Sequence, residues 1–106
     1  MKLYTIVGYS NGWGNRVFET YTDLNIAKAC KDVHLEYNTE VDIIETEVDD
    51  VNDKIYKLTG FDGSGYDFLN IANTLENAEA LMYANSKELK ECGMKYESYD
   101  IEEIEM

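Results

Sequence analysis

The chain has 106 residues, 44% of them hydrophobic, with 22 Asp and Glu against 9 Lys and Arg and no proline. That length suits a single domain, residues 1–106, burying roughly two-thirds of the surface its unfolded chain exposes, and nine Tyr, three Phe and one Trp argue against disorder. A net charge of −13 argues against direct binding to nucleic acid or anionic lipid, and no apolar run approaches the roughly 20 residues of a membrane span.

The N-terminal segment MKLYTIVGYS lacks the long apolar stretch of a secretory signal, so a cytoplasmic protein is expected. Tyr4–Tyr9 and Arg16–Tyr21 read as strands around a glycine-containing loop, and hence as a hairpin. Thr22 or Asp23 then caps a helix running to about Tyr37, with Asn38 suited to a left-handed exit. Its apolar stripe is Ile26, Ala29, Cys30, Val33 and Tyr37. A third strand covers Glu40–Val48, and the segment from Asp49 to Lys54 links it to the second half of the chain.

The same order then recurs. Ile55–Phe61 and Tyr66–Ala72 form a second hairpin, and Asn73 or Thr74 caps a helix ending near Cys92 and Gly93. The stripe of this helix is Ala78, Leu81, Met82, Leu89 and Cys92, and Met94–Ile104 is the last strand. LYTIVGYS at Leu3–Ser10 aligns with IYKLTGFD at Ile55–Asp62 at a spacing of 52, matching Gly8 with Gly60. Beyond the loop the spacing becomes 51, which puts Gly12 on Gly63, Gly14 on Gly65, Leu24 on Leu75 and Ala27 on Ala78. The fold expected is α+β: two β-β-α-β repeats, 3–49 and 55–105, about a pseudo-twofold. They would build one antiparallel-rich six-stranded sheet with both helices on one face.

The charge is unevenly placed. Residues 1–39 are neutral, whereas Glu40, Asp42, Glu45, Glu47, Asp49, Asp50 and Asp53 stand without a base between them. Glu97, Asp100, Glu102, Glu103 and Glu105 do the same at the C-terminal end. Acids on an edge strand discourage unwanted pairing and aid solubility, which is their plainest role. Carboxylates at i and i+2 of one strand face also lie about 6.6 Å apart, close to the spacing of phosphates along a nucleic-acid strand. Glu45, Glu47 and Asp49, and Glu103 with Glu105, have that spacing.

Other chemistries are less well supported. Cys30 and His34 lie one helical turn apart, as a Cys-His enzyme or ligand binder would need, but Cys30 and Cys92 each read first as packing on their helix stripes, so both are expected buried and reduced. Neither Asp49–Asp53 nor Asp62–Asp67 follows the EF-hand order, and the glycine loops precede strands rather than helices, so no metal or other cofactor is called for. Trp13 and Tyr66, in the matched loops, are candidate anchors for a partner.

These features point to a non-enzymatic acidic interaction protein whose partner is a basic, nucleic-acid-handling protein. The most concrete form is a phage or mobile-element inhibitor, a nucleic-acid mimic occupying the channel of a restriction or CRISPR nuclease. The partner-binding residues would be Asp42, Glu45, Glu47, Asp49, Asp50, Asp53, Glu97, Asp100, Glu102, Glu103, Glu105, Trp13 and Tyr66. A small homodimer acting through its sheet and hairpin tips is the alternative.

Overall fold

Two hairpins, each continued by one helix and one further strand, account for the whole chain. The computed structural model describes all 106 residues. Its elements are β1 (Lys2–Ser10), β2 (Gly14–Tyr21), α1 (Leu24–Leu35), β3 (Glu40–Glu47), β4 (Lys54–Phe61), β5 (Tyr66–Ala72), α2 (Leu75–Glu91) and β6 (Ser98–Glu105). The helices start at side chains that replace missing backbone partners: Asp23 accepts from the Asn25 N–H, and Thr74 from the Asn77 N–H. Asn38 does not take a left-handed turn; its side-chain amide donates to the His34 carbonyl at 2.8 Å and closes the end of α1 that way.

The strands form two three-stranded antiparallel sheets, ordered β2-β1-β3 and β5-β4-β6, and this corrects the expectation of one six-stranded sheet. α1 packs on the first sheet and α2 on the second, so the helices do not share a sheet face. β2 and β5 are edge strands that approach each other, and they do not pair. Both carry a bulge. Phe18 and Glu19 together stand opposite Ile6, and Leu69 is the extra residue where the register steps from Leu58↔Asn70 to Thr59↔Phe68. Bulges bend and twist an edge strand away from a flat ladder. β2 and β5 meet instead at their hairpin ends, where Gly14 and Gly65 allow backbone to touch backbone. A Cβ on Gly14 would lie 2.5 Å from the Ser64 carbonyl oxygen, and one on Gly65 would lie 2.5 Å from the Asn15 nitrogen.

Within each sheet the register is the same. Lys2 pairs with Glu47, Tyr4 with Glu45 and Val7 with Asp42 in the first; Lys54 pairs with Glu105, Tyr56 with Glu103 and Thr59 with Asp100 in the second. Backbone bonds flanking the ladders also correspond. Thr39 N–H donates to Tyr9 and Val48 N–H to Met1, as Glu97 N–H donates to Phe61 and Met106 N–H to Asp53.

The molecule is a plate, 37 × 37 × 17 Å between its outer Cα atoms, so only 15 residues are buried. Leu3 and Val48 from the first half cluster with Ile55 and Ile71 from the second, and Val51, Phe68 and Ile104 pack around them. Fully buried Ala27 and Ala78 let each helix lie close to its sheet. This overturns the stripe expected for α1. Ile26 and Val33 are exposed and Tyr37 is 78% exposed, because α1 settles on Ala27 rather than on its bulkier apolar residues. In α2, Leu81, Met82 and Leu89 are half-buried as the spacing predicts. The cysteines are not both buried: Cys30 is half-buried and Cys92, past the end of α2, is exposed.

Candidate functional site

The acids that dominate the sequence sit on β3 and β6, the outer strand of each sheet, and on the chain beside them. Glu40, Asp42, Glu45, Glu47, Asp49, Asp50, Asp53, Glu97, Asp100, Glu102, Glu103 and Glu105 are all exposed. Because neighbouring residues of a strand point to opposite faces, these acids divide into two sets per strand. Glu45 and Glu47 share the face of Tyr4, and Glu103 and Glu105 the face of Tyr56. Asp42 shares the face of Val7, while Asp100 and Glu102 share that of Thr59 and Lys57. Asp49 lies past the end of β3, so the row of three carboxylates read from the sequence has two strand members. Asp50 and Asp53 lie with it in the connection to β4, and Glu97 lies before β6 with its carboxylate against Gly63.

Three of the twelve carboxylates are paired with a cation. Glu47 lies 3.4 Å from the N-terminal amine, Glu103 lies 3.4 Å from Lys54 Nζ, and Glu102 lies 3.3 Å from Lys57 Nζ. The Glu103 bond holds the Lys54 ammonium above its ordinary range. The Glu47 and Glu103 pairs are exposed and contribute about 0–1 kcal/mol each, whereas Glu102 meets a lysine that is itself nearly buried.

A cleft of about 490 Å³ lies beside Glu47 and Asp49, and two more run beside Glu40, Asp42, Asp100 and Glu102. The larger, about 660 Å³, follows the free edge of β2 from Arg16 to Thr20. Across it lie Lys57 and Thr59 of β4 and Asp100, Glu102 and Ile104 of β6. The smaller, about 440 Å³, follows β5 from Tyr66 to Leu69 opposite Val7, Tyr9, Glu40, Asp42 and Ile44. Tyr66, half exposed and tilted over Phe61 at 4.9 Å, borders both. Trp13 lies in neither and stands 71% exposed at the first hairpin tip.

Residues that the sequence pattern did not single out close the seam between the halves. Lys57, only 5% exposed, reaches across from β4 and donates to the Phe18 carbonyl at 2.7 Å, at the bulge where β2 departs from its regular register. Its position in the otherwise uncharged IYKLTGF was the available signal. Asn15 donates to Asp67 at 3.0 Å, and Tyr96 donates to the other oxygen of the same carboxylate at 2.8 Å. Burial, then the Asp67 bond, pushes the Tyr96 hydroxyl up to about 12.

Cys30 and His34 engage different partners. Cys30 Sγ lies in hydrogen-bond contact with the Tyr21 hydroxyl at 3.3 Å, and that bond, followed by burial, pushes Tyr21 up to about 12. His34 stacks on Phe18 at 4.0 Å and places Nε2 2.8 Å from Glu19. Burial pushes the Glu19 carboxyl up, but the bonds from its own backbone and from His34 outweigh this and hold it below its ordinary value. The Asp62 carboxylate is held low by the Ser64 and Gly65 N–H groups, so its loop is an Asx-type turn. No group of three His, Cys, Asp or Glu comes together to hold a metal ion, and no helix is long and apolar enough to cross a membrane.

The chain matches no protein-family model, no curated protein and no solved structure.

Proposed function

We propose that this is a non-enzymatic acidic interaction protein whose outer strands engage a basic surface on a nucleic-acid-handling protein. The observation that carries the reading is the exposure of all twelve carboxylates of the two outer strands and their extensions, nine of them without a cation partner. An exposed, unpaired carboxylate projects its field into solvent, whereas a buried or paired one spends it internally. A cleft evolved to release counterions on binding phosphates would attract such rows by the same electrostatics. The most concrete form of the proposal is an inhibitor from a phage or mobile element, of anti-restriction or anti-CRISPR type, acting in the host cytoplasm. The separate engagements of Cys30 and His34 favour a binding role over a Cys-His enzyme. The exposed Trp13 favours, as a second reading, a homodimer joined at the hairpin tips.

The equal registers, the bulges in β2 and β5 and the corresponding flanking bonds support descent of both halves from one duplicated β-β-α-β unit. On that reading the rows Glu45–Glu47 and Glu103–Glu105 are one feature used twice, and the chain is one domain of two repeats joined at Asp49–Asp53. The test of function is capture from a bacterial lysate on the immobilised protein. The expected result is that retained proteins bind nucleic acid and elute with duplex DNA, whereas retention indifferent to DNA contradicts the proposal.

A further inference from the structure

The apolar residues that α1 turns away from its own sheet form a connected stripe. Ile26, Ala29, Cys30, Val33 and Tyr37 recur at helical spacing and line one side of the helix with no charged residue among them. Cys30, at the inner margin, meets Tyr21 of β2, so the stripe lies on the β2 side of α1 and leaves the acids of β3 uncovered. Exposure by itself does not call for apolar residues here, as α2 shows. At the spacing of 51 that aligns the two helices, Ile26, Val33 and Tyr37 fall on Asn77, Ala84 and Glu88, all of them exposed. The second helix keeps a polar or small surface where the first keeps an apolar one.

The charges of α1 and its C-cap are also ordered in an uncommon way. Lys28 and Lys31 precede Asp32 and Glu36, the reverse of what suits a helix dipole, whereas α2 begins with Glu76 and Glu79 and has Lys87 and Lys90 near its end. None of the four α1 charges has an ion-pair partner within the chain. Reflected about the middle of this segment, between Lys31 and Asp32, Ile26 falls on Tyr37 and Cys30 on Val33, and Lys28 falls within one residue of Glu36. We propose that α1 is the contact between two copies of this chain, packed antiparallel about a twofold axis at that midpoint. Ile26 of one copy then meets Tyr37 of the other, Cys30 meets Val33, and Lys28 lies beside Glu36 along the rim. The occupant follows from charge. Each copy carries −13, yet residues 1–39 hold no net charge, so a second copy meets least repulsion on this helix, whose bases and acids complement their own mirror image. The exposed parts of Ile26, Val33 and Tyr37 come to roughly 400 Å² per copy, which with a polar rim reaches the about 1,200 Å² at the lower end of standard interfaces. Such a dimer leaves the outer strands free, and it stands or falls independently of the acidic-surface reading.

The test is sedimentation of the full chain from about 5 to 500 µM in about 0.15 M salt, where repulsion between distant charges is screened. The expected result is a monomer–dimer equilibrium that Val33→Glu shifts to at least about tenfold higher concentration. Val33 is 58% exposed, so this variant keeps its fold, which far-ultraviolet circular dichroism checks. Glu36→Lys should weaken the dimer about three- to tenfold although it lowers the net repulsion, because it brings like charges together at the rim. Adding Lys28→Glu should restore the affinity to within about twofold, since the two positions, far apart on one helix, meet only across the dimer. A monomer at every concentration would overturn the proposal, and so would a dimer that Val33→Glu leaves intact and Trp13→Ala dissolves, which would place the contact at the hairpin tips. Tighter association of Glu36→Lys alone would show that net charge governs assembly, and would overturn the antiparallel contact.

Discussion

The seam between the two halves and the outer strands divide the work of the molecule between them. At the seam the chain approaches itself so closely that two glycines are required, a lysine is nearly withdrawn from solvent, and four aliphatic side chains from both halves form one buried cluster. The outer strands carry exposed carboxylates, few of them paired. A plate with 15 buried residues has little stability to spare, and on the function proposed above its rim is the part left for a partner.

The contrast breaks most sharply at Gly65. A methyl group there would lie 2.5 Å from Asn15 nitrogen and 2.6 Å from its carbonyl oxygen, both backbone atoms that cannot swing aside. Gly65→Ala is expected to cost about 3 kcal/mol or more in urea unfolding. Gly12→Ala, with nothing within 4 Å and only a positive φ to strain, should cost about 1–2 kcal/mol. Similar losses at the two positions would mean that the hairpins do not meet.

Lys57→Met comes next. It keeps the stem of the side chain but leaves the Phe18 carbonyl without its donor and Glu102 without its cation, and should cost about 1–3 kcal/mol. The equivalent position in the first half is Thr5, whose hydroxyl meets that of Thr20 at 2.9 Å within its own sheet. Thr5→Val should therefore cost less, about 1 kcal/mol, without loosening the halves from each other. An unchanged midpoint for Lys57→Met would remove the lysine from the seam.

Alkali gives a smaller effect with a defined sign. Tyr21 and Tyr96 are raised to about 12, and an unfolded tyrosine ionises near 10. The folded state holds protons that the unfolded state gives up, so the stability they contribute is full below pH 10 and is lost as pH rises toward 12. Tyrosinate absorbance compared with that of Tyr21→Phe and Tyr96→Phe variants should show each of these two hydroxyls ionising near 12, and ionisation of either near 10 would contradict this. The smallest change in stability is expected at the rim. Glu45, Glu47 and Asp49 replaced together by Gln, Gln and Asn should shift stability by no more than about 0.5 kcal/mol, upward if self-repulsion falls.

Much of the seam was hidden in the sequence, and most of the rim was open to reading. Alternation in LYTIVGYS and IYKLTGFD marked the strands, and runs of acid without base marked β3 and β6, because both signals are local. Whether β2 and β5 pair is decided by two bulges and by a contact between Gly14 and Gly65, far apart in the chain, which no local pattern carries. The α1 stripe misled for a related reason. Ile26, Val33 and Tyr37 have helical spacing, but the face that meets the sheet is set by how near the backbone can come, and Ala27 comes nearer. Lys57 was readable only as an oddity, a charge inside an apolar strand, whose partner lies in the other half.

The central claim is that the outer carboxylates are the recognition surface. It is tested most directly by the salt dependence of binding to the partner captured from lysate, measured for the wild type and for a variant carrying Glu45→Gln, Glu47→Gln, Asp49→Asn, Glu103→Gln and Glu105→Gln. Glu102 is left in place because it pairs with the seam lysine. The account predicts a folded variant that binds more weakly by about 1 kcal/mol for each fully desolvated pair lost, with a shallower dependence of affinity on salt. A folded variant with the affinity and salt slope of the wild type would show that the acids serve solubility alone, and would move the interface to Trp13, Tyr66 and the sheet.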